Sequence, residues 1–225
     1  MRIYEGKEQL ASLTRPEHRP AYFVGLDLGQ AQDFSALAVM ECQGLTKATY
    51  TFHCRHLQRW KLRTSYPAII ADTVQIMNSP QVQQGKRAVL VVDATGVGAP
   101  VVDLFKRERI QGKLEPIQIV AGSTVSKENG VTRVPKRDLV SIVQVYLQNK
   151  RLKIASQLEL AETLTRELQN FQVKITDAAN DTYGSWREGT HDDLVLAAAL
   201  ALWAGTEIKQ SVLYLSSNYY SQSSW

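Results

Sequence analysis

Residues 88–93 read Ala-Val-Leu-Val-Val-Asp, apolar at every position except the last. An unbroken apolar run of this length suits a central strand covered on both faces, because a half-exposed strand would alternate. Gly96 and Gly98 follow as a turn, and Pro100 suits the first turn of a helix that is expected to reach about Arg109. A buried strand feeding a helix is the repeating piece of an α/β fold.

The rest of the chain fits around that strand. Residues 22–29, Tyr-Phe-Val-Gly-Leu-Asp-Leu-Gly, form another apolar run ending in Asp and Gly, and 35–40 read as its hairpin partner. Alternation of Tyr50, Phe52 and Cys54 places a third strand over 49–57. Helical spacing of Ile69, Ile70, Thr73, Val74 and Met77 predicts a helix over 66–77. A strand is expected over 115–121, a Gly-, Ser-, Thr- and charge-rich loop over 122–135, and helices over 136–148 and 157–171. Residues 173–187 read as a hairpin, and 192–204 as a helix so apolar that it must be buried. This order predicts an α/β mixed sheet flanked by helices, with strands 1–3 antiparallel and the remainder parallel. Residues 1–20 are expected to be a lead-in, 21–205 the domain, and 206–225 a loosely ordered tail.

Four acids stand out against this background. Asp27 and Asp93 each end a buried strand, and Asp192 and Asp193 open a buried helix. Charged side chains are seldom buried unless they are paired or bind metal. Parallel strands bring their carboxyl ends to one side of the sheet, where α/β proteins bind ligands, so the strand-end acids can converge. Carboxylates crowded together raise one another's pKa unless a counter-charge is present. Mg2+ or Mn2+ supplies it, since both favour carboxylate and water oxygens. Two such ions roughly 3.5–4 Å apart activate water and stabilise the leaving oxygen of a phosphodiester. Each acid also has a plainer role: Asp27 or Asp93 in a turn, Asp192 or Asp193 as a helix cap. Asp33 is a further candidate that supports the metal site or simply sits in the hairpin turn, and His191 either orients a ligand or bonds locally.

Composition limits the partners. With 26 Lys and Arg against 22 Asp and Glu, the formal charge is +4, which permits nucleic acid without demanding it. Basic residues gather at 106–113 and 127–137, and Lys127, Arg133, Lys136, Arg137 and Arg187 are the candidates for phosphate contacts. Trp186 beside Arg187, and Lys61 and Arg63 beside Trp60, are further rim candidates. Cys42 and Cys54 match no zinc spacing and form no disulfide framework, so buried free thiols are expected. There is no signal-peptide core and no apolar run of ~18 residues, so the expectation is a cytoplasmic protein with no membrane partner.

These residues resemble a known family. Gly25-Leu26-Asp27-Leu28-Gly29-Gln30 with Asp33-Phe34-Ser35-Ala36, then Val92-Asp93-Ala94-Thr95-Gly96-Val97-Gly98, then His191-Asp192-Asp193-Leu194 look like the three acidic motifs of the phage large terminase nuclease domain. Val134-Pro135-Lys136-Arg137-Asp138-Leu139 resembles a further stretch of that group. The resemblance spans about residues 20–205. It implies an RNase H/RuvC-like fold and a two-metal endonuclease that cuts double-stranded DNA with little sequence preference. It also implies metal ligation by Asp27, Asp93 and one or both of Asp192 and Asp193, with Asp193 favoured as the direct ligand. The hairpin 173–187 becomes a candidate DNA-contacting element. The implied partners are double-stranded DNA and a packaging ATPase, a portal or a small terminase subunit, in the host cytoplasm for a phage-encoded chain. No Gly-x-x-x-x-Gly-Lys-[Ser/Thr] loop is present, so the expectation is the cutting half without its motor: a domain of a longer protein, a split subunit or a stand-alone prophage-derived nuclease. The rival readings are a Holliday-junction resolvase, an actin-like ATPase, for which 225 residues are too few to build two halves, and a catalytically silent DNA-binding or assembly module.

Overall fold

A computed structural model describes residues 20–29, 33–84, 88–96, 98–170 and 192–221. The lead-in through residue 19, Gln30, Val97, the hairpin 173–187 with Trp186 and Arg187, and His191 lie outside the described residues.

The chain begins with β1 (Ala21–Asp27), β2 (Ala36–Gln43) and β3 (Thr51–Arg59), followed by α1 (Tyr66–Met77) and the short α2 (Pro80–Gln83). Next come β4 (Ala88–Asp93), α3 (Gly98–Arg107), β5 (Lys113–Val120), β6 (Ser126–Glu128), β7 (Val131–Pro135) and α4 (Lys136–Gln148). The last elements are β8 (Leu152–Ile154), α5 (Ala161–Asn170) and α6 (Asp193–Ser221). The eight strands form one sheet in the order β6-β7-β5-β4-β1-β2-β3-β8. β1, β2 and β3 are antiparallel neighbours, while β4 joins β1, and β5 joins β4, in parallel. The expected mixed α/β sheet is what forms.

Strand alternation divides the interior into two layers. Phe23, Val89 and Val91 face the layer that holds α6, α4 and Phe52. Tyr22, Val24, Leu26, Leu90 and Val92 face the opposite layer, with Ile69, Ile70 and Met77 of α1 and Phe105 of α3. Both faces of β1 and β4 are therefore apolar, which is why these strands read as continuous runs.

α6 packs on β1 and β2 and against α4. Its first four turns carry Ala197, Ala198, Ala199, Ala201 and Ala204, all buried. Small side chains let helix and sheet backbones approach. At Gly25, an added Cβ would lie 2.0 Å from the Ala197 carbonyl oxygen and 2.9 Å from the Ala201 nitrogen. Only glycine fits there.

Three local features differ from the expectations. The expected loop over 122–135 contains the β6–β7 hairpin, turned by Asn129 (φ 51°) and Gly130 (φ 80°). Asn-Gly with both φ positive is a favoured two-residue hairpin turn, so the signal was present. β8 adds a short parallel strand beside β3. The last helix does not end near Ala204 but continues to Ser221. Gly205, which looks like a stop, is a packing glycine: a Cβ there would meet the Phe52 ring at 2.3 Å.

The contact at Gly25 yields a first prediction. Gly25→Ala must push α6 off β1, and overpacking of this kind destabilises by about 1–3 kcal/mol. Thermal denaturation should show a lower Tm, and an unchanged Tm would refute the close approach.

Candidate active site

β1 and β4 run side by side in a register that pairs Leu26 with Val92. Asp27 and Asp93 are the next residue on each strand. By alternation, Asp27 shares a face with Phe23 and Asp93 with Val89 and Val91, the face covered by α6. α6 begins at Asp193, directly after Asp192, whose backbone oxygen accepts the Leu196 N–H at 2.9 Å. Two strand ends and one helix start thus meet on one side of the sheet.

The acids there sense one another. Asp27 retains some solvent exposure, yet burial holds its carboxyl well above the usual carboxylate range, reinforced by Asp93, Asp192, Asp193 and Asp33. Burial also raises Asp93, opposed by hydrogen bonds from Thr95 and the charge of Lys136. Burial pushes Asp192 up to about 6, with Lys136 opposing and Asp193 and Asp33 adding to the rise. Asp33 is exposed at the rim.

Asp93 also serves its turn: one of its oxygens accepts the Thr95 N–H at 2.8 Å, and the Thr95 hydroxyl accepts the Ile119 N–H at 2.8 Å. A turn role and a place in the acidic cluster therefore coexist in one carboxylate.

The members of the Asp192–Asp193 pair have different surroundings. Asp193 Oδ2 lies 2.9 Å from an Arg59 nitrogen, which also pairs with Glu167. Asp192 Oδ2 is buried with no hydrogen-bond partner among the described residues. Glu167 is itself buried, which pushes it up to about 7 against the pull of Arg59. The Arg59 guanidinium also stands 5.1 Å from the centre of the Phe34 ring.

Lys136 is a sequence candidate for a phosphate contact, at the start of the helix expected over 136–148. It opens α4, with burial lowering its pKa and Asp192, Asp27 and Asp93 raising it, so its charge belongs to the acidic cluster. Of the other basic candidates, Lys127, Arg133 and Arg137 are among the described residues; they lie along the β6–β7 hairpin and the start of α4, and each has an acidic neighbour. Lys127 reaches Glu115 at 3.2 Å, and Arg133 reaches Glu128 at 2.8 Å. Arg137 donates to the Ser123 carbonyl at 3.0 Å and lies 3.7 Å from Asp138. Trp60 is buried and donates its indole N–H to Asp72 at 2.7 Å, a packing role.

The donor set is all oxygen, which suits a hard divalent cation. Among the described residues, no three acids, histidines or cysteines are already drawn into a ligating group. The Asp192 oxygen, without a partner among the described residues, and the raised carboxyls are what fit a cation.

A family model described as a terminase RNase H-like domain matches residues 24–204, a span that holds all four acids. The chain belongs to this family. It is 24% identical over 187 residues to the large terminase subunit of Thermus phage G20c, covering 83% of this chain and 32% of that protein. The chain thus spans about a third of that relative's length. The human cytomegalovirus terminase nuclease domain superposes with a TM-score of 0.57 at 13% identity, covering 94% of this chain and 98% of that one. The nuclease domain of the bacteriophage SPP1 large terminase, with bound Mn, superposes at 0.50 and 12% identity over 86% and 89% of the two chains. These likenesses show the terminase RNase H-like fold. No helix among the described residues is long and apolar enough to cross a membrane.

The crowded carboxyls predict an unusual pH response for this terminase domain. Asp192's folded pKa, about 6, lies above the ordinary value near 3.8. Its contribution to stability is therefore present at low pH and lost as pH rises through about 6. In EDTA at pH 8, Asp192→Asn should raise Tm by roughly 4–8 °C, the scale of about 2 kcal/mol in a domain of this size. A lower Tm for this variant would contradict the repulsion.

Proposed function

We propose that this chain is a metal-dependent endonuclease that hydrolyses double-stranded DNA with little sequence preference, as the cutting half of a terminase large subunit. The observation that carries this reading is the meeting of Asp27 and Asp93, at neighbouring parallel strand ends, with the Asp192–Asp193 start of α6. Family membership and the Mn bound by the SPP1 domain support it.

Asp27, Asp93 and Asp192 would hold Mg2+ or Mn2+, with Asp33 at the rim. The sequence favoured Asp193 over Asp192. The surroundings favour the reverse, because Asp193 Oδ2 is held by the Arg59 ion pair, while Asp192 Oδ2 has no ion pair or hydrogen bond among the described residues. Two ions, when bound, supply activated water and stabilise the leaving oxygen. The chain's own part is to converge the carboxylates and exclude bulk water with α6. Lys136 keeps a positive charge among the acids.

Lys127, Arg133, Arg137 and Arg187 are proposed phosphate contacts. Binding through them gives no base readout and weakens steeply with salt. Because the chain matches about a third of the G20c subunit, a packaging ATPase, a portal and a small terminase subunit are proposed partners, met in the host cytoplasm.

The test is direct. Purified protein should nick or linearise plasmid in Mn2+ or Mg2+ and stop in EDTA. Asp93→Ala should reduce cutting by roughly 100-fold or more, beyond the 10–100-fold that outer-shell changes cost, with the fold intact by circular dichroism. A wild-type protein inert across metals and DNA forms defeats the proposal, and marked preference for four-way junctions over linear duplex would redirect it to a resolvase.

A further inference from the structure

α6 has an unusual start. Asp192 stands at its N-cap position, with Asp193, Leu194 and Val195 as the first three helical residues. An N-cap aspartate ordinarily turns its carboxylate onto the amides of the second and third helical residues. Here those amides are taken by another element. Glu167 of α5 accepts the Leu194 N–H at 3.1 Å and the Val195 N–H at 3.3 Å through Oε2. Its other oxygen, Oε1, pairs with Arg59 at the end of β3, and the same Arg59 nitrogen reaches Asp193 at 2.9 Å. All three side chains are largely buried, at 16% exposure for Arg59, 7% for Glu167 and 5% for Asp193.

From this geometry we infer that Glu167 and Arg59 are positioning residues of the active site: Glu167 caps α6 in place of Asp192 and so frees the Asp192 carboxylate, while Arg59 ties Glu167 to Asp193 and fixes the direction of the acid pair. Asp192 Oδ2, buried and without a partner among the described residues, is the second observation. The backbone bond that its carboxylate does take comes from Asp192's own amide, not from the helix amides that an N-cap acid ordinarily takes. A cap delivered from α5 accounts for it, and the arrangement costs the protein a buried ion pair that apolar residues could replace with little loss of stability.

The inference rests on the proposed nuclease reading for its consequence, but not for its geometry. Without Glu167, the two amides are bare, and Asp192, at the N-cap position, has the carboxylate that can take them. In Glu167→Ala, Asp192 should swing onto the Leu194 and Val195 amides, a change a crystal structure reads without any activity. Mn2+ affinity, measured by calorimetry on the DNA-free protein, should fall about 10–100-fold, as when other groups that orient metal ligands are lost. Cutting should recover toward the wild-type maximum at high Mn2+, because the catalytic acids themselves remain. Glu167→Gln keeps a neutral acceptor for the amides and should lose less, and it serves as the second variant if Glu167→Ala does not fold. Arg59→Met should weaken Mn2+ binding while leaving the amides capped.

The outcomes separate cleanly. A wild-type protein that neither binds Mn2+ nor cuts DNA overturns the nuclease reading, and the Asp192 position in the variant crystal still decides the cap. An Asp192 carboxylate unmoved in Glu167→Ala, or in Glu167→Gln with Mn2+ affinity unchanged in both, overturns the positioning role.

Discussion

The contact between the α6 backbone and the β1 backbone at Gly25 sets the depth of the whole site. A helix held off the sheet by ordinary side chains would place its first residues several ångströms further from the strand ends. Here the Ala197 carbonyl occupies the space of a missing Cβ, and alanines along the helix continue the close approach. Asp192 and Asp193 therefore arrive at the level of Asp27 and Asp93. Packing and chemistry are joined in a single contact: the alanine-rich face that buries the helix also delivers the acids.

That delivery creates an electrostatic debt. Carboxyls are raised by burial and by one another, and Lys136 and Arg59 offset only part of the repulsion. The protein keeps these charges where apolar residues would be more stable, a pattern expected where a site is built for a ligand of opposite charge. The rest of the molecule carries the expense. Two apolar layers on either face of the sheet supply the burial that lets such a cluster persist.

Much of this was visible in the sequence because it is local. Asp27 and Asp93 each close an apolar run, and the bounds of α1, β4 and α4 follow from periodicity and flanking turns. What remained hidden depends on distant partners. Arg59 lies just past the strand expected over 49–57, and Glu167 looks like the solvent face of an amphipathic helix. Their pairing spans 108 positions and leaves no local pattern. Lys136 reads as one more basic residue at a helix start until the fold brings its charge near Asp192, Asp27 and Asp93. The β6–β7 hairpin is a different case, since Asn129-Gly130 announced it and the surrounding charge obscured it.

The strand register has a consequence for how such a chain can vary. β1 carries its two layers on alternate residues, with Asp27 as the final position of one series. Any single substitution along Ala21–Leu26 perturbs packing at one point. One inserted or deleted residue would instead exchange the two series on one side of the lesion, trading apolar contacts between layers and turning Asp27 away from Asp93. Length changes in this family's first strand should therefore come in pairs or be confined to the turns, where the sheet does not count residues.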